Sequence, residues 1–233
     1  MTAKHIGIVG CSAEGAALCY KTICVEGESW LGRRYAHPEV SMHTFPFADY
    51  KQSIEALDWS GVARLMIESA KKVALLGAEF ALSPDNTIHQ AFDEVADQSS
   101  IPWLHIAEEL AREASRQNFQ RIAVLGTKFL MEGTVYPEKL QRLNIEHRIP
   151  NPQERARINE IIFNELVYGK FTDEARGYFY QVIGRLKQEG CDAVALSCTE
   201  IPLLVRPEES PLPCLDSTRI LARAALKKAL ENS

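Results

Sequence analysis

Two segments of this 233-residue chain repeat one pattern. The first reads Gly77-Ala-Glu-Phe-Ala-Leu-Ser-Pro-Asp85-Asn-Thr87, and the second Gly190-Cys-Asp-Ala-Val-Ala-Leu-Ser-Cys198-Thr-Glu200. In each, a glycine closes a helical pattern, an apolar strand follows, and small polar residues end it. Aligned on the glycines, Asp85 falls on Cys198, Asn86 on Thr199 and Thr87 on Glu200. Two flanking pairs keep the same order: Ile6-Gly-Ile-Val-Gly10 with Ile122-Ala-Val-Leu-Gly126, and Ile101-Pro-Trp-Leu104 with Leu212-Pro-Cys-Leu215. Similar halves tend to pack about a pseudo-twofold axis. The repeat therefore predicts that Asp85 and Cys198 face one cleft from opposite walls, where two proton-transfer groups can serve a carbon between them.

Apolar runs alternate with helical patterns, which predicts an α/β fold with largely parallel sheets. Strands are expected near 5–10, 39–45, 78–83, 102–105, 121–126, 145–148, 192–197 and 213–215. The clearest helices are 61–76, 107–117, 153–168, 173–189 and 217–231, with Thr172 placed to cap the fourth. Gly27 to Pro46 has weak periodicity and reads as loop around a short strand. The expected halves are 1–104 plus 214–233, and 105–213, with the last helix packing on the first half.

Hydrophobic residues make up 46% and charged residues 24%, so a sizeable core is possible, and a net charge of −5 argues against nucleic acid or an anionic membrane surface as partner. The strand pattern beginning at His5 predicts no signal peptide, and no apolar run reaches bilayer-spanning length. The six cysteines form no C-x-x-C pair, which predicts no metal cluster and a reducing, cytoplasmic setting. The loops Gly10-Cys11-Ser12-Ala-Glu-Gly15 and Gly126-Thr127-Lys128 lack the dinucleotide fingerprint and the phosphate loop. Both can still offer N–H groups and hydroxyls to a carboxylate at a helix N-terminus.

Cys198 ends a buried-strand pattern among Ser197, Thr199 and Glu200. Ligands of open parallel sheets bind beyond the carboxyl ends of strands. A helix starting there would favour thiolate. Cys19, Cys24, Cys191 and Cys214 lack such polar company and read as packing. Asp85 fits two roles, proton transfer or capping of the helix that follows it. His89, one turn on, fits either a site contact or a satisfied surface histidine. Arg33-Arg34 can cover an anionic substrate, whereas Arg155 and Arg157 read as solvated.

The motif Leu196-Ser-Cys198-Thr199-Glu200-Ile-Pro resembles the second catalytic motif of the aspartate/glutamate racemases. Asn86-Thr87-x-His89 resembles the end of their first, Cys-Asn-Thr-x-His. Gly126-Thr127-Lys-Phe-Leu-Met-Glu132 and Ile158-Asn-Glu-Ile-Ile-Phe-Asn-Glu165-Leu are also similar, particularly to the broad-specificity members. The resemblance covers almost the whole chain. It implies two Rossmann-like domains, a site between them, no cofactor and a homodimer. It also implies two cysteines that exchange the α-proton on opposite faces, with substrate carboxylates held by Asn86, Thr87, Thr127, Thr199 and Glu200. Asp85 stands where the first catalytic cysteine is expected. Gly10-Cys11-Ser12 replaces a Gly-Gly-Met loop, with Ser12 as a substrate-binding candidate.

These observations converge on a racemase or epimerase for an acidic amino acid, with Cys198 and Asp85 as the acid/base pair. At reference values of about 8.5 for Cys and 3.9 for Asp, the resting pair is thiol and carboxylate. Alternatives are an isomerase or decarboxylase using Cys198 alone, and a binding homologue without turnover.

Overall fold

The computed structural model describes residues 3–231. Residues 1–2 and 232–233, at the outer edges of the expected first half, lie outside the described residues. The chain divides into two compact units, Met1–Ile106 with Thr218–Ser233, and Ala107–Ser217.

The first unit is built on β1 (Ile6–Gly10), β2 (Val40–Thr44), β3 (Phe80–Leu82) and β4 (Trp103–Leu104), hydrogen-bonded in the order β2-β1-β3-β4. The second contains β5 (Arg121–Leu125), β6 (Glu146–Arg148), β7 (Ala193–Leu196) and β8 (Cys214–Asp216), in the order β6-β5-β7-β8. Every pairing is parallel. The protein is thus an α/β protein with two four-stranded parallel sheets of identical strand order. Central strands β1, β3 and β7 are buried throughout, whereas edge strands β2 and β6 alternate with exposed positions. Burial on both faces requires continuous apolar runs, which is why the central strands stand out in the sequence.

The register reproduces the repeat residue by residue. Ile6 pairs with Phe80 as Ile122 pairs with Ala193, and Ala81 pairs with Trp103 as Val194 pairs with Cys214. The entry turns are also duplicated. Gly77 and Gly190 sit at φ 100° and 89°, a left-handed conformation that favours glycine. The Gly77 N–H donates to Ala74 O and that of Ala78 to Val73 O, while Gly190 and Cys191 donate to Lys187 O and Leu186 O. This paired bonding ends each helix and turns the chain into β3 or β7.

The helix Ala13–Leu31 runs through Gly27, correcting the loop expected from that glycine onward. A Cβ at Gly27 would lie 2.8 Å from Ala36 O and 2.7 Å from His37 Cβ, so the glycine marks a close chain approach rather than a break. The expected domain joins at 104/105 and 213/214 fall a few residues short of the observed ones. Strand β8 bonds to β7, with the Val194 N–H donating to Pro213 O, which keeps residues 214–217 with the second unit. The helix Ser217–Leu230 then crosses to the first unit, where Leu221, Ala222, Ala225 and Leu226 join Ile6, Ile8, Phe80 and Leu82 in one core. Among the described residues, no helix is long and apolar enough to cross a membrane.

Candidate active site

In the first unit the chain leaves β1 at Gly10, turns through Cys11 and Ser12, and enters the helix Ala13–Leu31. Ser12 caps that helix by accepting from the Gly15 N–H. Asp85, beyond the end of β3, is only 8% exposed, and its two carboxylate oxygens accept from the Cys11 and Ser12 N–H groups at 3.0 Å each. The loop expected to receive a ligand carboxylate therefore receives Asp85. An anion gains here from two donors and from the positive end of a 19-residue helix, an arrangement that favours the ionised carboxylate. The 3-10 turn Thr87–Ala91 begins after Asn86, whose side chain makes no capping bond, and the Asp85 carboxylate serves the start of a helix distant in sequence.

His89 is buried and not on the surface. Its Nε2 lies 3.3 Å from the Ile106 N–H, which can only donate, so the hydrogen of the neutral ring sits on Nδ1 and donates to Asp85 O at 2.9 Å. His89 thus ties the Asp85 backbone to the start of the helix Ile106–Arg116. It also stacks on Phe92 and packs against His105. Asn86 is buried and Thr87 half-buried beside it.

Tyr50, on the helix Phe47–Glu55, is fully buried, and its hydroxyl has no hydrogen-bond partner among the described residues. Burial raises its pKa far above the usual tyrosine value. The nearby Cys11 adds to this, Ser69 pulls the other way, and Asp85 adds less. No pattern in the sequence singles out Tyr50.

In the second unit, the Ser197 N–H extends the ladder by donating to Leu125 O at 2.8 Å, which fixes where Cys198 emerges. A Cβ at Gly126 would stand 2.7 Å from Ser197 O, so only glycine lets the two loops pass. Cys198 is 9% exposed, and its Sγ–H donates to Glu200 Oε2 at 2.9 Å. The helix that follows, Ile201–Leu204, is a single turn, so the expected thiolate-stabilising helix terminus is replaced by a carboxylate. A negative charge beside sulfur favours the thiol while offering a place for its proton. Thr199 and Glu200 are buried. Thr127 is also buried and caps the short helix Lys128–Met131 by accepting from the Leu130 N–H. The Lys128 N–H donates to Asn159 Oδ1 at 2.9 Å.

Other sequence candidates lie elsewhere. Arg33 and Arg34 follow Gly32 at the far end of the helix Ala13–Leu31, about 28 Å along the axis from Ser12 at 1.5 Å per residue. Arg34 covers the exposed Tyr35 ring. Arg155 pairs with Glu132 and Arg157 with Glu160. Burial pushes the Cys24, Cys191 and Cys214 thiols up, away from reactivity. No group of three or more His, Cys, Asp and Glu residues suited to a metal ion occurs among the described residues.

Residues 8–225 match the Asp/Glu/hydantoin racemase family model. The chain is 23% identical over 196 residues to the broad specificity amino-acid racemase RacX of Bacillus subtilis (strain 168), covering 83% of each protein. A candidate Asp/Glu racemase from Yersinia pestis superposes with a TM-score of 0.89 at 30% identity, covering 98% of this chain and all of the other. An aspartate racemase homologue from Pyrococcus horikoshii OT3 gives a TM-score of 0.84 at 29% identity, with 98% and 100% covered. The two-sheet fold is that of these racemases, and the chain belongs to the Asp/Glu/hydantoin racemase family.

Proposed function

We propose that this protein is a cofactor-independent racemase or epimerase of an acidic amino acid, in which Cys198 and Asp85 transfer protons on the two faces of one α-carbon. The observation that carries the reading is the register. Asp85 and Cys198 occupy one slot in two sheets of identical order, one as a carboxylate and the other as a thiol. This resting pair is a base and an acid. Asp85 takes the α-proton, Cys198 Sγ–H gives one to the opposite face, and the carbanion between them is quenched with inversion. In the reverse direction the thiolate left by that step is the base and protonated Asp85 the donor. Asn86, Thr87, Thr127, Thr199, Glu200 and Ser12 are the proposed substrate-binding set. The similarity to RacX supports an amino-acid substrate of broad rather than narrow identity.

The reading includes a homodimer, for which exposed Tyr20, Val25, Trp30 and Tyr35 supply apolar surface. It also includes a cytoplasmic setting, consistent with unbridged Cys24, Cys191 and Cys214.

A second reading is favoured by the two N–H groups that hold Asp85. A carboxylate so stabilised is a weaker base, which suits one-sided isomerisation or decarboxylation by Cys198 alone. The test is a chiral assay of L- and D-amino acids in heavy water with Cys198→Ala as control. Inversion with α-deuterium uptake supports the racemase. Carbon dioxide release, or uptake without inversion, supports the second reading. Absence of all three overturns both.

A further inference from the structure

Asp85 stands where no regular element holds it. Residues 83–86 lie between β3 and the 3-10 turn Thr87–Ala91, outside any strand or helix, and Pro84 has no N–H to give. The Asp85 N–H reaches Ser83 Oγ at 3.4 Å. Its carboxylate accepts from the Cys11 and Ser12 N–H groups, which use two of about four acceptor sites and leave the others to take an α-proton. Where those sites point depends on where the Asp85 peptide stands. In the second unit the equivalent peptide is fixed locally, with the Ile201 N–H donating to Cys198 O at 3.1 Å. In the first unit a side chain does this. His89 Nδ1–H donates to Asp85 O at 2.9 Å, while Nε2 accepts at 3.3 Å from the N–H of Ile106, two residues beyond β4. The histidine is 4% exposed; its ring lies parallel to Phe92 at 5.6 Å between centroids and meets His105 at 4.8 Å. Laid on the repeat, the place of His89 is taken by Pro202, which has no side-chain donor.

We infer that His89 is a positioning residue for the proton transfer, setting the aim of Asp85 by tying its peptide to the Ile106 N–H just past the neighbouring strand. The inference rests on the proposed acid/base role of Asp85. His89 acts through Asp85 without touching substrate, and its two nitrogens have separate duties. Nδ1–H fixes the Asp85 peptide. Nε2 satisfies a buried N–H at the start of the helix Ile106–Arg116, and by accepting there it keeps the ring in the tautomer that donates from Nδ1. The first bond carries the function and the second the local stability. Displacing a reacting group by about 1 Å costs up to about 10²-fold in rate. A protein that loses one neutral hydrogen bond stays folded. The two duties are therefore separable by experiment.

Asparagine and glutamine separate the two bonds, because an Asn amide nitrogen falls near Nδ1 and a Gln amide oxygen near Nε2. Both lose the ring that stacks on Phe92, so that loss cancels between them. In the chiral assay His89→Asn keeps the bond to Asp85 and should invert within a few-fold of wild type. His89→Gln lacks that bond, and its kcat should fall by about 10- to 10²-fold with KM little changed. Thermal melting should rank them the other way, since His89→Asn leaves the Ile106 N–H buried and unpaired. Activity that follows melting temperature, or falls equally in the two variants, would make His89 a packing residue and overturn the inference. Inversion by His89→Gln at the wild-type rate overturns it too, and that result stands even if His89→Asn does not fold. Nitrogen NMR of the wild-type ring should find the hydrogen on Nδ1, and a hydrogen on Nε2 overturns the inference without any variant. Each of these failures leaves wild-type inversion intact and the racemase reading with it. A wild-type protein that neither inverts nor exchanges any amino acid overturns both.

Discussion

The two loops that follow the first strand of each sheet both lead into a helix capped by a hydroxyl side chain, and differ in what holds them. After β1, the Cys11 and Ser12 N–H groups are occupied by Asp85, the residue at the end of β3. After β5, the Lys128 N–H is held from outside the repeat by Asn159, and the residue equivalent to Asp85, Cys198, bonds instead to Glu200 two positions on. One duplicated scaffold thus carries a carboxylate whose charge is met by a helix terminus and a thiol whose proton is met by a carboxylate. The comparison teaches that strand register fixes where a reactive group stands, while the neighbours of the loop decide which protonation state it rests in.

The largest effect should come from the thiol side. Cys198→Ser is expected to fold and to lose about 10²-fold or more of inversion in the chiral assay, since a hydroxyl is a far weaker acid and base near neutrality. Undiminished inversion would end the assignment. On the carboxylate side, Asp85→Asn keeps the shape and removes the charge. It should abolish inversion while sparing Cys198-dependent α-deuterium exchange, and lower stability by about 0.3–2 kcal/mol in denaturant titration as the helix terminus loses its anion. Asp85→Cys should raise inversion above wild type by matching the two groups in reference pKa. If Asp85→Ala inverts as fast as wild type, Asp85 only holds the loop.

Gly126→Ala places a Cβ 2.6 Å from Leu130 Cδ2 and 2.7 Å from Ser197 O. A cost of about 1–3 kcal/mol is expected, with loss of activity beyond it as Cys198 shifts. A variant with wild-type stability would show that the two loops do not constrain each other. Glu200→Gln sharpens the contrast in protonation. Removing the charge beside sulfur should move the pH midpoint of Cys198 alkylation downward, and an unchanged or raised midpoint would contradict a carboxylate that favours the thiol.

The smallest effect concerns His43 and His147, whose folded-state pKa values are lowered from 6.5, by burial first and then by Lys72 and Arg148 respectively. The unfolded chain therefore takes up these protons first as pH falls. Their contribution leaves stability unaffected well above pH 6.5 and reduces it progressively below. Histidine titration by NMR should give midpoints below 6.5 for both, and a midpoint above it would contradict the packing described.

The sheets were legible because buried parallel strands must be apolar without interruption, and because the repeat carries its register in residue pairs such as Ile6 with Phe80 and Ile122 with Ala193. The helix Ala13–Leu31 was obscured by Gly27, whose meaning depends on Ala36 and His37 arriving alongside, a contact invisible to local periodicity. In the site, Asp85 and Cys198 were marked by position. Their partners were not. The Asp85 contact with Cys11 spans 74 residues, and the Glu200 contact with Cys198, although local, depends on a rotamer. Tyr50 and Ser69 are ordinary helical residues until the fold buries their hydroxyls.

The migration of the helix Ser217–Leu230 to the first unit has a consequence for how the protein is made. Lys4 N–H donates to Ala229 O, and Arg223 clasps Glu26 through two contacts of 2.7 and 2.9 Å, so the first unit draws on residues separated by the entire second unit. During synthesis the second unit is a continuous stretch that can fold as it leaves the ribosome, whereas the first stays unfinished, with Ile8, Leu82 and Ile106 lacking their cover, until the last helix is released.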